Sequence, residues 1–222
     1  YDPIQEQIID YVGGMRDIKK HILKPVIPID TIFVEDPVRM LRAIKYSATT
    51  HAKMSFSLRH KIRQSASLLG QISPSRLTEE LLKIINSGHA YDIILEAMDT
   101  DLFMYLQPSA ASMIFDNKEI QEKYLENLKK LDYINKTEKN VRLGKKLYYL
   151  VFDFISILTD WKKEVAQKYS SNELYIKTWT ECRTFILPMN PQRRELEYAI
   201  RLSLKNLGVQ IKTSSKKTKK ES

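Results

Sequence analysis

From Asp36 onward, apolar residues fall at helical spacing with few interruptions. Val38, Leu41, Ile44 and Ala48 share one stripe, and the positions Leu58, Ile62, Ser65 and Leu69 share the next. In "SPSRLTEELLKIINSG", Ser73 or Ser75 can cap, Pro74 suits the first turn, and Gly88 is placed to stop the helix. Further helices are predicted over 89–98, 109–134, 141–168, 172–187 and 191–207. Pro108, the polar stretch 136–140, Ser170-Ser171 and the segment Pro188–Pro191 separate them.

The first thirty residues read differently. Ile8 to Val12 is an apolar run ended by Gly13-Gly14, which predicts a strand. One strand cannot be stable alone, so its partners are expected before Tyr1. A short helix is expected from Asp17, and "KPVIPID" (Lys24–Asp30) reads as an extended connector. The fold class is therefore all-α, with a short β piece at the N-terminus.

Composition narrows the class. Of 222 residues, 43% are hydrophobic, enough for a real core, and no apolar run is long enough to span a membrane. The first residue is Tyr, with no signal-peptide pattern after it, so the chain reads as a piece of something longer. A single cysteine, Cys182, and four scattered histidines offer neither a disulfide nor a metal set; a reducing, cytoplasmic setting is expected.

The net charge of +9 is unevenly spread. The last eleven residues hold five lysines and one glutamate, and this tail from Lys212 is expected to be disordered. Between Pro37 and Thr78 there is no Asp or Glu, yet Arg39, Arg42, Lys45, Lys53, Arg59, Lys61, Arg63 and Arg76 all occur. Such a run reads as a face built for a polyanion, most commonly nucleic acid. The opposing reading is an ordinary helical face whose cations pair with acids elsewhere in the fold.

"FVEDPVRMLRAIKYS" holds the candidate chemistry. Asp36 before Pro37 is a good N-cap, which explains the aspartate by itself. It does not explain Arg39, a cation set against the positive end of the helix dipole. Glu35, Asp36 and Arg39 lie three or four residues apart and project from neighbouring positions. A carboxylate beside a guanidinium offers an acceptor and a fork of donors. That pattern complements the donor-next-to-acceptor edges of adenine and cytosine and mismatches guanine and uracil. It could select bases without a nucleic-acid template.

Three segments, "IIDYVGGMRDIKKHIL", "FVEDPVRMLRAIKYSA" and "SPSRLTEELLKIINSG", together resemble the bacterial class II nucleotidyltransferases, the family of poly(A) polymerases and CCA-adding tRNA nucleotidyltransferases. The resemblance is strong over residues 1–90 and thinner over 91–208. It implies a head–neck hinge at Asp10, Gly13, Gly14 and Asp17, base recognition by Glu35, Asp36 and Arg39, and neck support from Arg76 and Glu80, followed by Leu81. Gly13-Gly14 also has the plainer reading of a turn ending a strand. Arg42, Lys45, Arg59, Lys61 and Arg63 become candidate nucleotide or RNA contacts. The implied layout is a remnant of the catalytic head and connector over 1–34, neck over 35–88, helical body and tail over 89–210, and a basic tail over 211–222.

Family members often carry an Arg where this chain has Ile32, so one cationic contact is expected to be missing. The family's catalytic head, with a Gly-Ser turn and an Asp-x-Asp pair holding two Mg²⁺ with ATP as substrate, has no match in these residues. No catalytic or metal-binding residue is therefore assigned, and the chain is expected to be inactive and to hold no cofactor alone. Asp99-x-Asp101 has the spacing of a metal pair, but follows a helix-like run with no Gly-Ser turn before it. Two functions remain open. One is the base-selecting, RNA-gripping part of an enzyme that adds AMP to RNA 3′ ends, with CCA addition as its close alternative. The other is a stand-alone RNA-binding helical module.

Overall fold

The computed structural model describes residues 1–158 and 170–209. They are overwhelmingly helical, as the periodicity predicts, and cluster into two units. The first comprises residues 1–139 with 187–190, and the second residues 140–186 with 191–222. The lysine tail, and the part of the expected 141–168 helix beyond residue 158, lie outside the described residues.

In the first unit, α1 (Gly14–Lys19) leads to β1 (Ile22–Leu23), α2 (Ile32–Glu35), α3 (Val38–Thr50) and β2 (Lys53–Met54). The two strands pair in parallel, Ile22 opposite Lys53 and Leu23 opposite Met54. Then come α4 (Phe56–Ser65), a 3₁₀ turn (Ala66–Gln71), α5 (Pro74–Ile85) and α6 (Ala90–Asp99). Two short helices, α7 (Phe103–Leu106) and α8 (Pro108–Phe115), precede the long α9 (Lys118–Thr137). The predicted stripes enter the core: Val38, Leu41 and Ile44 of α3 and Leu58, Ile62, Ser65 and Leu69 are buried while Ala48 is half-buried, and Leu77, Leu81 and Ile84 of α5 join them. Gly88 adopts the left-handed conformation just after α5, as a stop signal should.

Two expectations fail locally. Ile8–Val12 is not a strand. Asp10 Oδ1 accepts from Val12 N (3.2 Å) and Gly14 N (2.8 Å), and Oδ2 from Met15 N (2.9 Å). The side chain thus takes up N–H groups that a ladder would need, and Gly13, at φ 75°, turns the chain into α1. The helix consequently starts at Gly14, three residues before Asp17. The single helix expected over 109–134 is also two. Asn117 is extended and its Oδ1 accepts from Ile120 N (3.2 Å), starting α9 afresh.

A longer-range cap holds α6. The buried Asp132, from α9, accepts from Ala90 N at 2.7 Å and Tyr91 N at 2.9 Å. Burial pushes its carboxyl above the ordinary value, while those two N–H groups pull the other way.

Among the described residues, the second unit holds α10 (Leu143–Leu158), α11 (Ser171–Phe185) and α12 (Arg193–Asn206). Ser170 and Glu173 form a reciprocal capping box on α11. Glu195 of α12 receives Arg142 Nε (3.0 Å) and the Gly144 N–H (2.8 Å). At Gly144 a Cβ would stand 2.7 Å from the Glu195 backbone oxygen and 2.8 Å from the Tyr198 ring. Only glycine allows this approach. Gly144→Ala is therefore expected to destabilise the second unit by roughly 1–3 kcal/mol through overpacking. Thermal or urea unfolding measures this; an unchanged midpoint would show that α10 and α12 can part without loss.

Candidate nucleic-acid interface

Glu35, Asp36 and Arg39 stand where the turn α2 hands the chain to α3. Asp36 is extended, and its Oδ1 accepts from Val38 N at 3.3 Å, so it caps α3 as the sequence suggests. The same oxygen accepts from Arg76 Nη2 at 2.8 Å, which ties the start of α5 to the start of α3. Arg42 Nη1 approaches the other oxygen, Oδ2, at 3.8 Å.

Arg39 is engaged differently. Its Nη1 donates to Glu35 Oε2 at 2.8 Å and to the Ile32 carbonyl at 3.2 Å. The two charged residues read as one unit thus sit in two adjoining pairs, Glu35–Arg39 and Asp36–Arg76. Arg39 Nη2 and Nε have no hydrogen-bond partner among the described residues. Ile32, where the resemblance leads one to expect an arginine, is buried and serves packing. Glu80 is buried too and takes Lys83 Nζ at 2.6 Å, while Arg76 reaches Asp36.

Near the N-terminus, Asp10 organises the turn around Gly13 and Gly14, and the N–H groups of Met15 and Gly14 hold its carboxyl below the ordinary range. Asp17 pairs with Lys24 at 3.1 Å.

The acid-free run finds its acids elsewhere. Arg59 Nη2 lies 2.7 Å from Glu96 Oε1, and its Nη1 lies 3.9 Å from Asp99 Oδ2. Burial raises the Glu96 carboxyl, opposed by the Arg59 charge. Arg63 donates through Nε (2.8 Å) and Nη2 to the Asp99 carbonyl, and stands 3.8 Å from Asp101 Oδ2. Lys61 is 3.6 Å from Asp30. Among the described residues, Lys53 has no ion pair, and Lys45 lies over the Tyr46 ring. These pairs mostly involve half-exposed side chains, where an ion pair contributes little net stability and exchanges readily.

The sequence could show which cations lacked local acids, but not which distant acids fold back onto them. Asp99 and Asp101 are met by guanidinium groups, and no cluster of three or more His, Cys, Asp or Glu among the described residues is arranged to hold a metal.

Residues 53–114 match the family described as "Probable RNA and SrmB- binding site of polymerase A". Poly(A) polymerase I of Salmonella typhimurium is 35% identical over 108 residues, covering 49% of this chain and 23% of that protein. The Escherichia coli O6:H1 enzyme of the same name is 36% identical over the same shares. About half of the chain is related to poly(A) polymerase I. The CCA-adding enzyme of Bacillus licheniformis is 32% identical over 100 residues, 45% of this chain and 25% of that protein. The chain spans about a quarter of the length of the curated relatives it matches. The segment matched by the polymerase family model runs from β2 to the end of α8, and so contains Arg59, Arg63 and their acidic partners. Glu35, Asp36 and Arg39 lie before it.

The Asp36–Arg76 bond is testable by itself. In a double-mutant cycle with Asp36→Asn and Arg76→Gln, a coupling of about 0.5–1 kcal/mol in unfolding free energy is expected for a partly exposed, hydrogen-bonded pair. Strictly additive effects would remove Arg76 from any role in holding Asp36.

Proposed function

We propose that this chain is the RNA-binding and base-selecting part of a template-independent RNA nucleotidyltransferase of the poly(A) polymerase type, adding AMP to RNA 3′ ends. The observation that supports this reading is the match of residues 53–114 to a probable RNA-binding region, which takes in α4 and the start of α5 from the acid-free run. The slightly higher identity to poly(A) polymerases than to CCA-adding enzymes favours AMP addition.

In this reading Arg76 and the Val38 N–H hold Asp36 Oδ1, leaving Oδ2, with only a long ion pair to Arg42, to accept from the amino group of an adenine. Arg39, steadied by Glu35 and the Ile32 carbonyl, keeps Nη2 and Nε to donate to the neighbouring ring nitrogen. Arg42, Arg59, Lys61 and Arg63 meet phosphates by exchanging one anion for another, and Lys45 meets them directly. ATP is the substrate. The described residues do not fit a Mg²⁺ site, so two-metal phosphoryl transfer is assigned to a separate catalytic head. Exposed Ile8, Ile9, Tyr11, Val12 and Ile18 give such a head an apolar surface to cover, with Asp10, Gly13, Gly14 and Asp17 as the hinge. No helix among the described residues is long and apolar enough to cross a membrane, and a cytoplasmic site of action fits an RNA substrate.

RNA binding by the chain should weaken steeply with salt, each neutralised phosphate contributing roughly −0.7 to the log–log slope for single strands. Affinity unchanged between low and physiological salt would sink the polyanion reading. Base selection is tested with the chain joined to its catalytic head. Asp36→Asn keeps a capping side chain but can turn an NH₂ towards the base, so ATP-over-GTP preference should fall by about 10-fold, with a melting temperature lowered only as far as the weakened bond to Arg76 requires. Arg39→Lys should act alike, since an ammonium lacks the planar fork. Unchanged preference in both would reduce Asp36 to a cap.

A further inference from the structure

Helix α4 buries Leu58, Ile62 and Ser65, which turns Phe56, His60, Arg63 and Gln64 to solvent. Phe56 is 85% exposed, in the first turn just after the capping Ser55. An isolated exposed aromatic is unremarkable. Here, however, His60 lies one turn on with its ring only 10° from the Phe56 plane, the centroids 6.1 Å apart. His60 Nε2 is in turn 3.0 Å from Gln64 Nε2, which fixes the imidazole. The result is a pair of nearly parallel rings held on a helix, the Phe56 ring open to solvent.

Its electrostatic setting identifies the occupant. Lys53 precedes it by three residues, Arg59 and Arg63 flank it along α4, and no acid occurs between Pro37 and Thr78. Phe115 is as exposed, at 89%, but is followed by Asp116 and Glu119, and so offers no comparable setting for a polyanion. A planar apolar surface within a basic stripe suits a group with a π-face attached to phosphate.

We propose that Phe56 and His60 form a stacking platform for an unpaired base of single-stranded RNA. This deepens the RNA-binding reading of the same segment and rests on it. Stacking is indifferent to base identity, because every base has a π-face, so the platform supplies grip while selection stays at Asp36 and Arg39. A duplex, whose bases already stack on each other, gains nothing from it.

The experiment is an anisotropy titration of the whole chain with a labelled single-stranded oligoadenylate and with a fully paired duplex. Phe56→Ala should weaken single-strand binding roughly 5- to 150-fold, as loss of one base–aromatic stack does, and leave the duplex unaffected. Its salt slope should stay that of the parent, since no charge changes, and its melting temperature should hold because the ring is exposed. Phe56→Leu should fail like Ala, being apolar but not planar. Phe56→Trp should bind normally, with indole fluorescence quenched by the oligonucleotide beyond any change in the parent chain. Normal single-strand affinity in the Ala or Leu variant, with salt-dependent binding intact, overturns the platform and leaves the RNA-binding reading standing. Absence of RNA binding by the parent chain overturns both. A changed sedimentation mass in Phe56→Ala with RNA affinity untouched would make the surface a protein contact and overturn the platform.

Discussion

The geometry around Glu35, Asp36 and Arg39 depends on the carboxylate of Asp36. One of its oxygens serves two masters, the first free N–H of α3 and the guanidinium of Arg76. The first bond fixes where α3 begins; the second fixes the start of α5 against it. A residue that only capped a helix would tolerate movement between these helices. One that also carries a charged hydrogen bond across forty positions of sequence sets their geometry. Arg76 and Asp36, which the family pattern assigns to different jobs, are one structural unit here.

The cationic segment shows how a basic surface is kept stable without a ligand. Like charges crowded on α3 and α4 would repel one another, and acids brought from α6 and the preceding connector offset that. Glu96, Asp99, Asp101 and Asp30 stand beside Arg59, Arg63 and Lys61 at exchange-ready distances. The run is therefore both a set of satisfied ion pairs and a set of guanidinium groups that a phosphate can recruit. The two readings of the sequence, polyanion face and paired surface, describe the same residues before and after exchange.

Periodicity made most of the architecture legible. The stripes on α3 and α4 are buried apart from Ala48, because an amphipathic helix must hide its apolar face wherever its partner comes from. Capping chemistry was legible only when local. Ser73 and Ser170 announce their helices, whereas α6 is capped by Asp132, forty-two residues beyond Ala90, and nothing in a local window reports that. Ile8–Val12 misled because β-propensity counts side chains and ignores competition for the backbone. Asn117 was overlooked because the apolar pattern continues through the break. At the candidate site, the pairings were not legible in the sequence. Arg39 could reach Glu35 or Asp36 from sequence spacing alone, and only the extended conformation of Asp36 separates the two. Phe56 escaped notice because an aromatic next to a helix start reads as core.

The turn built by Asp10 has a consequence beyond local geometry. "IIDYV" is a short, β-prone, largely uncharged run whose apolar side chains are exposed. A segment like this, left extended with free N–H groups, is a template on which other copies can add strands and begin to aggregate. By drawing the N–H groups of Val12, Gly14 and Met15 onto its own carboxylate, Asp10 takes hydrogen-bond donors at the end of that run away from any incoming strand. The aspartate thereby withdraws a backbone donor, as well as placing a charge, at the end of an exposed apolar run.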